Sequence, residues 1–192
     1  MTRQDLYARI QNYKISKLIR GSKTTQLKSG KVRIETLSAE HEADLFHIYS
    51  NLSRESCRAR FNCDLSIFSD DFLVQLSKQS ATLKPSDGYG LIAYDDQLNQ
   101  PIAVAQYVKI GSHAAEFALT VADDYQGRGL GTLLLSKLVA QSKKEGLQYL
   151  EAAVSSDNRG MHLLLMKSGL AQTIDYLNGT MMYKLYLTGY IC

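Results

Sequence analysis

Apolar and polar positions change period along this chain, and each change marks an element. In the first segment Leu6, Ile10, Tyr13 and Leu18 recur at near-helical spacing. Residues 32–37 (VRIETL) alternate apolar with polar and predict a strand. Ser38 is placed to cap a helix over about residues 39–52, with Leu45, Ile48, Tyr49 and Leu52 along one face. Ser53 opens a second short helix. Ser69, followed by Asp70 and Asp71, opens a third, with Phe72, Leu73 and Leu76 inward. Residues 79–88, with Pro85 and Gly88, read as loop.

Beyond that loop the period shortens to two. Residues 89–94 and 102–110 predict strands joined by the polar turn 95–100, and 114–121 (AAEFALTV) predict a third. The glycine-rich stretch 126–131 leads into a helical stripe of Leu130, Leu133, Leu134, Leu138 and Val139. Lys143 and Lys144 suit the C-terminus of that helix, and Gly146 suits the position just past it. Residues 147–154 predict a strand, and 158–168 a helix ended by Gly169. A final strand or hairpin falls within 176–187, where Asn178-Gly179 is a strong turn dipeptide. Helices first, then a strand meander, then alternating strand and helix, make an α/β (α+β) mixed sheet.

Composition narrows the class. The 192 residues are 45% hydrophobic and 21% charged, which suits one folded domain and excludes general disorder. No apolar run approaches the ~18 residues of a membrane helix. The opening MTRQDLYARI has no apolar core of a signal peptide, so a cytoplasmic protein without a membrane partner is expected. Cys57, Cys63 and Cys192 are too few and unevenly spaced for a disulfide framework, and no Cys/His spacing suits a metal, so none is expected. Charge divides the chain more sharply. Residues 1–33 hold nine Lys and Arg against Asp5 alone, a net +8, while the remainder holds thirteen basic and eighteen acidic residues, a net −5. The expected organisation is a basic arm over 1–30, helical where its apolar residues recur, and a single domain over 31–192. Such an arm suits nucleic acid, anionic lipid or an acidic partner, or equally a solvated or self-docking segment, and no aromatic–basic interleaving points to specific nucleic-acid binding.

The chemistry-bearing segment is V-A-D-D-Y-Q-G-R-G-L-G-T, residues 121–132. A strand runs into a loop with Gly127, Gly129 and Gly131, and a helix follows at once. Glycines let backbone approach closely, exposed amides point at the ligand and the helix N-terminus adds partial positive charge, which together suit an anion. Arg128 adds a charged contact. Taken alone, the same turn also serves as a tight reversal. The third glycine falls one residue early for a dinucleotide fingerprint, and no Lys follows as a Walker A loop requires, so neither NAD nor ATP is supported.

Gln126-x-x-Gly129-x-Gly131 resembles the R/Q-x-x-G-x-G/A loop of the GNAT superfamily of N-acetyltransferases, which binds the pyrophosphate of acetyl-coenzyme A. The resemblance spans about residues 32–185. It includes the strand 116–121, the helix 131–144, the strand 149–154, and Asn158-Arg159-Gly160-Met161 leading to Lys167-Ser168-Gly169-Leu170. Residues 52–61, LSRESCRARF, resemble the L-S-x-E-S-x-x-x-R-F stretch of bacterial protein lysine acetyltransferases. The resemblance implies a mixed, mostly antiparallel sheet flanked by helices, with a splayed central strand pair. It implies acetyl-coenzyme A as co-substrate, held by Leu119, Thr120 and Val121, by Gln126, Gly127, Arg128, Gly129, Gly131 and Thr132, and by Asn158. Asn158 also reads as a helix N-cap.

Acetyl transfer to an amine needs the amine neutral, yet a lysine amine with a pKa of ~10.4 is under 1% neutral at pH 7. A general base is therefore expected. Glu116 matches the glutamate on the corresponding strand of GNAT lysine acetyltransferases, and its apolar neighbours in sequence predict a desolvated carboxylate suited to that role. The thioester carbonyl takes a backbone N–H from 119–121 in the family. The tyrosine that often protonates the departing thiolate is absent: Leu165 stands in its place, with Tyr176 and Tyr183 as substitutes. Arg58, Arg60 and Glu55 suit either the acceptor side or a local ion-pair network. The implied acceptor is a protein lysine, with a small-molecule amine or a non-catalytic acyl-coenzyme A sensor as alternatives, and the assembly is a monomer or homodimer.

Overall fold

The computed structural model of the chain describes residues 24–27, 30–61 and 69–187. The spaced apolar residues of the basic arm, together with Cys63 and Cys192, lie outside the described residues; Cys57 is a buried thiol whose Sγ donates to Leu52 O at 3.8 Å.

Among the described residues, eight strands form one sheet: β1 (Thr24–Leu27), β2 (Gly30–Thr36), β3 (Gly88–Asp95), β4 (Gln100–Lys109), β5 (Ala114–Val121), β6 (Tyr149–Ser155), β7 (Ala171–Leu177) and β8 (Thr180–Tyr186). Their order is β1-β2-β3-β4-β5-β6-β8-β7. Every neighbouring pair is antiparallel except β5–β6. Among the described residues the sheet thus begins at Thr24, inside the segment that charge alone groups with the arm. After a 3-10 turn (Ala39–His41) come the helices α1 (Glu42–Ser50), α2 (Arg54–Phe61), α3 (Asp70–Ala81), α4 (Leu130–Lys144) and α5 (Arg159–Met166).

Strand alternation sends side chains into two cores. Leu91, Ala93, Ala103, Ala105 and Phe117 pack with Leu130, Leu134, Leu135 and Leu138 of α4 and Leu165 of α5. Ile92, Tyr94 and Val104 pack on the opposite face with Phe46, Ile48 and Tyr49 of α1, Cys57 of α2 and Leu73 of α3. With both faces covered, β3 reads as a nearly continuous apolar run rather than an alternating one.

Several boundaries differ from the sequence reading. The first helix begins as the 3-10 turn and stops at Ser50. Ser69 caps α3 by accepting the Phe72 N–H at 3.3 Å, but Phe72 itself lies outward, and α3 runs through Ala81 into the stretch expected to be loop. The Asn178-Gly179 turn joins β7 to β8 with both residues at positive φ (48° and 81°), the pairing a two-residue hairpin favours. β7 begins five residues before the expected hairpin, at Ala171; it is a mostly exposed edge strand, so burial imposes no alternation on it. Among the described residues, no helix is long and apolar enough to cross a membrane.

Candidate functional site

The site forms where β5 and β6 part. They pair only from Ala114 against Tyr149 to Glu116 against Glu151, although β5 continues to Val121 and β6 to Ser155. Bonds from Ile110 N–H to Ala114 O (3.0 Å) and from Ala122 N–H to Ile102 O (2.8 Å) set the phase of the β4–β5 ladder. In that phase the even residues of β5 direct their amides to β4 and the odd residues direct theirs toward β6. Leu119 and Val121 therefore turn backbone groups into the open wedge. The amide of Thr120 faces β4 instead, which separates it from the two residues grouped with it on resemblance.

The loop closes one end of the wedge. Gly127 and Gly129 adopt left-handed φ values of 69° and 89°, and a Cβ added to either meets no atom within 4 Å. Gly129 is the N-cap of α4, so the first-turn amides of a 15-residue helix open beside that space, with Thr132 exposed on the first turn. Arg128 stacks its guanidinium 5.2 Å over the Tyr125 ring, whose hydroxyl donates to Asp95 at 3.0 Å. Gly131 sits against Leu164 of α5 and Leu119 of β5, joining the three elements that frame the wedge.

Asp123 ties this loop to α2. Its carboxylate accepts the Ser53 N–H (2.8 Å), the Ser53 hydroxyl (2.8 Å) and the Ser56 hydroxyl (2.6 Å). Gln126 Nε2 donates to Ser56 Oγ (3.0 Å) and to Val121 O (3.1 Å). Near the other end of α2, Asn158 Nδ2 donates to Ala59 O at 3.3 Å while its Oδ1 accepts the Met161 N–H at 3.0 Å as the N-cap of α5. Helix α2 thus straps the ends of the diverging strands together. Sequence reading missed Asp123, Ser53 and Ser56: the bonds span about seventy residues, and only the serines within LSRES signalled anything local.

Burial alone would raise the Asp123 carboxyl, but the hydrogen bonds from Ser56 and from the Ser53 backbone and hydroxyl outweigh it and hold it below its ordinary value. A depressed folded-state value adds stability that is complete above the unfolded value of ~3.9 and is lost as pH falls through the folded one. Asp123→Ala is expected to cost about 1 kcal/mol at pH 7, a capping-scale loss limited by the exposure of the carboxylate. Thermal unfolding checks this: the gap in midpoint between variant and wild type, about 2–4 °C at pH 7, should close in acid below the carboxylate range.

Glu116 departs from expectation. Its apolar neighbours in sequence, Ala115 and Phe117, turn into the α4 core, and strand alternation leaves Glu116 exposed on the other face. There it lies beside Val108 and Glu151, whose own carboxylate is 3.8 Å from Lys184. Leu165 is fully buried. The Tyr183 hydroxyl is engaged with His162 Nδ1 at 2.7 Å, and the same ring donates from Nε2 to Ser155 O at 3.0 Å. Tyr176 is exposed on the edge strand.

Residues 51–170 match the model of the acetyltransferase (GNAT) family. Over 86 residues, 44% of this chain, the sequence is 36% identical to acetyltransferase Pat of Mycolicibacterium smegmatis. That match covers 26% of the relative, so the chain spans about a quarter of its length. The fold is similar to the GNAT domain of S. lividans PAT, with a TM-score of 0.73 at 24% identity over 86% of this chain and 96% of that one. It is also similar to spermidine N-acetyltransferase from Vibrio cholerae, solved with CoA and spermine, with a TM-score of 0.62 at 17% identity over 81% and 95%. The family match runs from residue 51, just past α1, to residue 170, just past α5, and takes in the loop, the wedge and the strap alike; the chain belongs to the acetyltransferase (GNAT) family.

Proposed function

We propose that this chain transfers the acetyl group of acetyl-coenzyme A to the ε-amine of a protein lysine. The observation that carries the reading is the wedge: two parallel strands that separate just past Glu116 and Glu151, with the glycine loop and the α4 N-terminus at its end. The open space at Gly127 and Gly129 and the inward amides of Leu119 and Val121 suit a pyrophosphate and an extended amide-bearing arm. Gln126, Gly127, Arg128, Gly129, Gly131 and Thr132 hold the pyrophosphate, and Asn158 lies at the far wall. Acetyl-coenzyme A supplies an acetyl group activated as a thioester.

Glu116 takes the proton of the incoming ammonium, directly or through water. The amides of Leu119 and Val121 stabilise negative charge on the carbonyl oxygen as the carbon–nitrogen bond forms and the carbon–sulfur bond breaks. With Leu165 in place of an acid, the thiolate takes its proton from water, which its ordinary pKa of ~8.5 permits. The LSRESCRARF segment, which resembles that of bacterial protein lysine acetyltransferases, supports a lysine acceptor, and the likeness to acetyltransferase Pat supports acetyl transfer. Thiol release from acetyl-coenzyme A tests this with three acceptors: an N-terminally acetylated lysine peptide, spermidine and phosphinothricin. The expected result is release with the peptide well above either small amine. Preference for a small amine would overturn the lysine assignment. Binding of acetyl-coenzyme A with no release for any acceptor would favour a sensor.

A further inference from the structure

On the face of the sheet that carries Glu116, three side-chain oxygens are buried without a hydrogen-bond partner: Tyr49 Oη, Gln106 Oε1 and Thr120 Oγ1. Tyr49 is 2% exposed and Thr120 5%. A buried oxygen left unpaired carries a desolvation cost, so folded proteins rarely keep several together unless a water or ligand satisfies them. The strand register sets two of them, those of Gln106 and Thr120, as neighbours. Val104 pairs with Thr120, Gln106 with Ala118 and Val108 with Glu116, all directed to the α1–α2 face, so Gln106 is the diagonal neighbour of both Thr120 and Glu116. Tyr49 packs in one cluster with Val104 and Cys57 and meets the Phe61 ring edge-on at 5.4 Å. Gln106 thus lies two residues along β4 from Val108, the partner of Glu116, Thr120 lies four residues along β5 from Glu116, and Tyr49 comes from α1 in the cluster of Val104.

We propose that Tyr49, Gln106 and Thr120 form the subsite for the acceptor amine and that it takes a lysine ε-amine in its neutral form. This rests on the transferase reading and deepens it. Gln106 Oε1 is an acceptor only, and both hydroxyls can accept, so together they satisfy the two N–H groups of a neutral amine and leave its lone pair free to attack. None of the three carries a charge to offset an ammonium. Of the charged residues of α2 (Arg54, Glu55, Arg58 and Arg60), Arg60 has its guanidinium 4.9 Å over Phe61, the ring that meets Tyr49, and its Nε is itself unpartnered; a cation there disfavours a second one. An ammonium meets exposed Glu116 first, leaves its proton outside, and the neutral amine enters. An exposed carboxylate can then serve as the proton acceptor, because the dry subsite rather than the base is what favours the neutral amine.

Thr120→Val, Gln106→Leu and Tyr49→Phe each remove one oxygen with little change of volume. Each is expected to lower kcat/KM for the lysine peptide by about tenfold, mainly through KM for the peptide, with KM for acetyl-coenzyme A unchanged. Thermal midpoints should stay at or above that of the wild type, since an unpaired buried oxygen is removed. That pairing separates the subsite from a structural role, in which midpoints would fall and peptide KM would hold. Unchanged peptide kinetics in all three variants would overturn the subsite and leave the transferase reading standing. No thiol release by the wild type with any amine would overturn both.

Discussion

Gly129→Glu is expected to abolish the thermal stabilisation that acetyl-coenzyme A confers on the wild-type protein. A ligand present at 100 times its dissociation constant adds ~2.7 kcal/mol. For a chain of this length that moves the midpoint by several degrees, at roughly 2–4 °C per kcal/mol. Gly129 has φ of 89°, and the space where its side chain would start is empty. A glutamate there meets no protein atom at its Cβ, but it points a carboxylate into the cradle formed by the first-turn amides of α4. The carboxylate repels a pyrophosphate and takes up the same donors. Left-handed backbone costs a non-glycine residue about 1–2 kcal/mol, so the variant should also melt lower than the wild type without ligand. Gly129→Ala carries that strain without the charge and is expected to keep part of the ligand shift. A full shift in Gly129→Glu would remove the loop from cofactor binding.

What the sequence disclosed about this site follows the range over which each feature is determined. The strand at residues 114–121 was legible to the residue, because alternation and the flanking polar stretches are local. So was the turn at Asn178-Gly179, because positive φ at both positions favours those residue types. The side on which Glu116 emerges was not. The run AAEFALTV is apolar on both sides of it, and only the packing of Ala115 and Phe117 against α4 decides the face. The early end of β5–β6 pairing was legible only through resemblance, since the strands that separate are joined by α4 and share no local signal. The strap formed by Ser53, Ser56 and Asp123 and the unpaired oxygens of Gln106 and Thr120 were not legible at all. The first depends on contacts about seventy residues apart, the second on how α1 and α2 settle over β4 and β5.

Glu116→Gln is expected to lower kcat/KM for a lysine peptide by about a hundredfold or more at neutral pH, the usual scale of a lost general base, while the acetyl-coenzyme A thermal shift stays as in the wild type. The substitution keeps volume and strand pairing and removes the proton acceptor. Glu116 stands open on its face, and its neighbour Glu151 leans toward Lys184 at 3.8 Å, itself held 3.6 Å over the Tyr149 ring. Without Glu116 the reaction draws on amine that is already neutral in solution, and that fraction rises about tenfold per pH unit below ~10.4. The rate of the variant should therefore climb steeply with pH, and its deficit against the wild type should narrow. Glu151→Gln removes a negative charge one strand away and distinguishes attraction from proton transfer. If attraction of a cation were all that Glu116 contributes, both variants would raise KM for the peptide alike and neither would steepen the pH profile. A Glu116→Gln profile parallel to that of the wild type at every pH would take Glu116 out of the proton transfer.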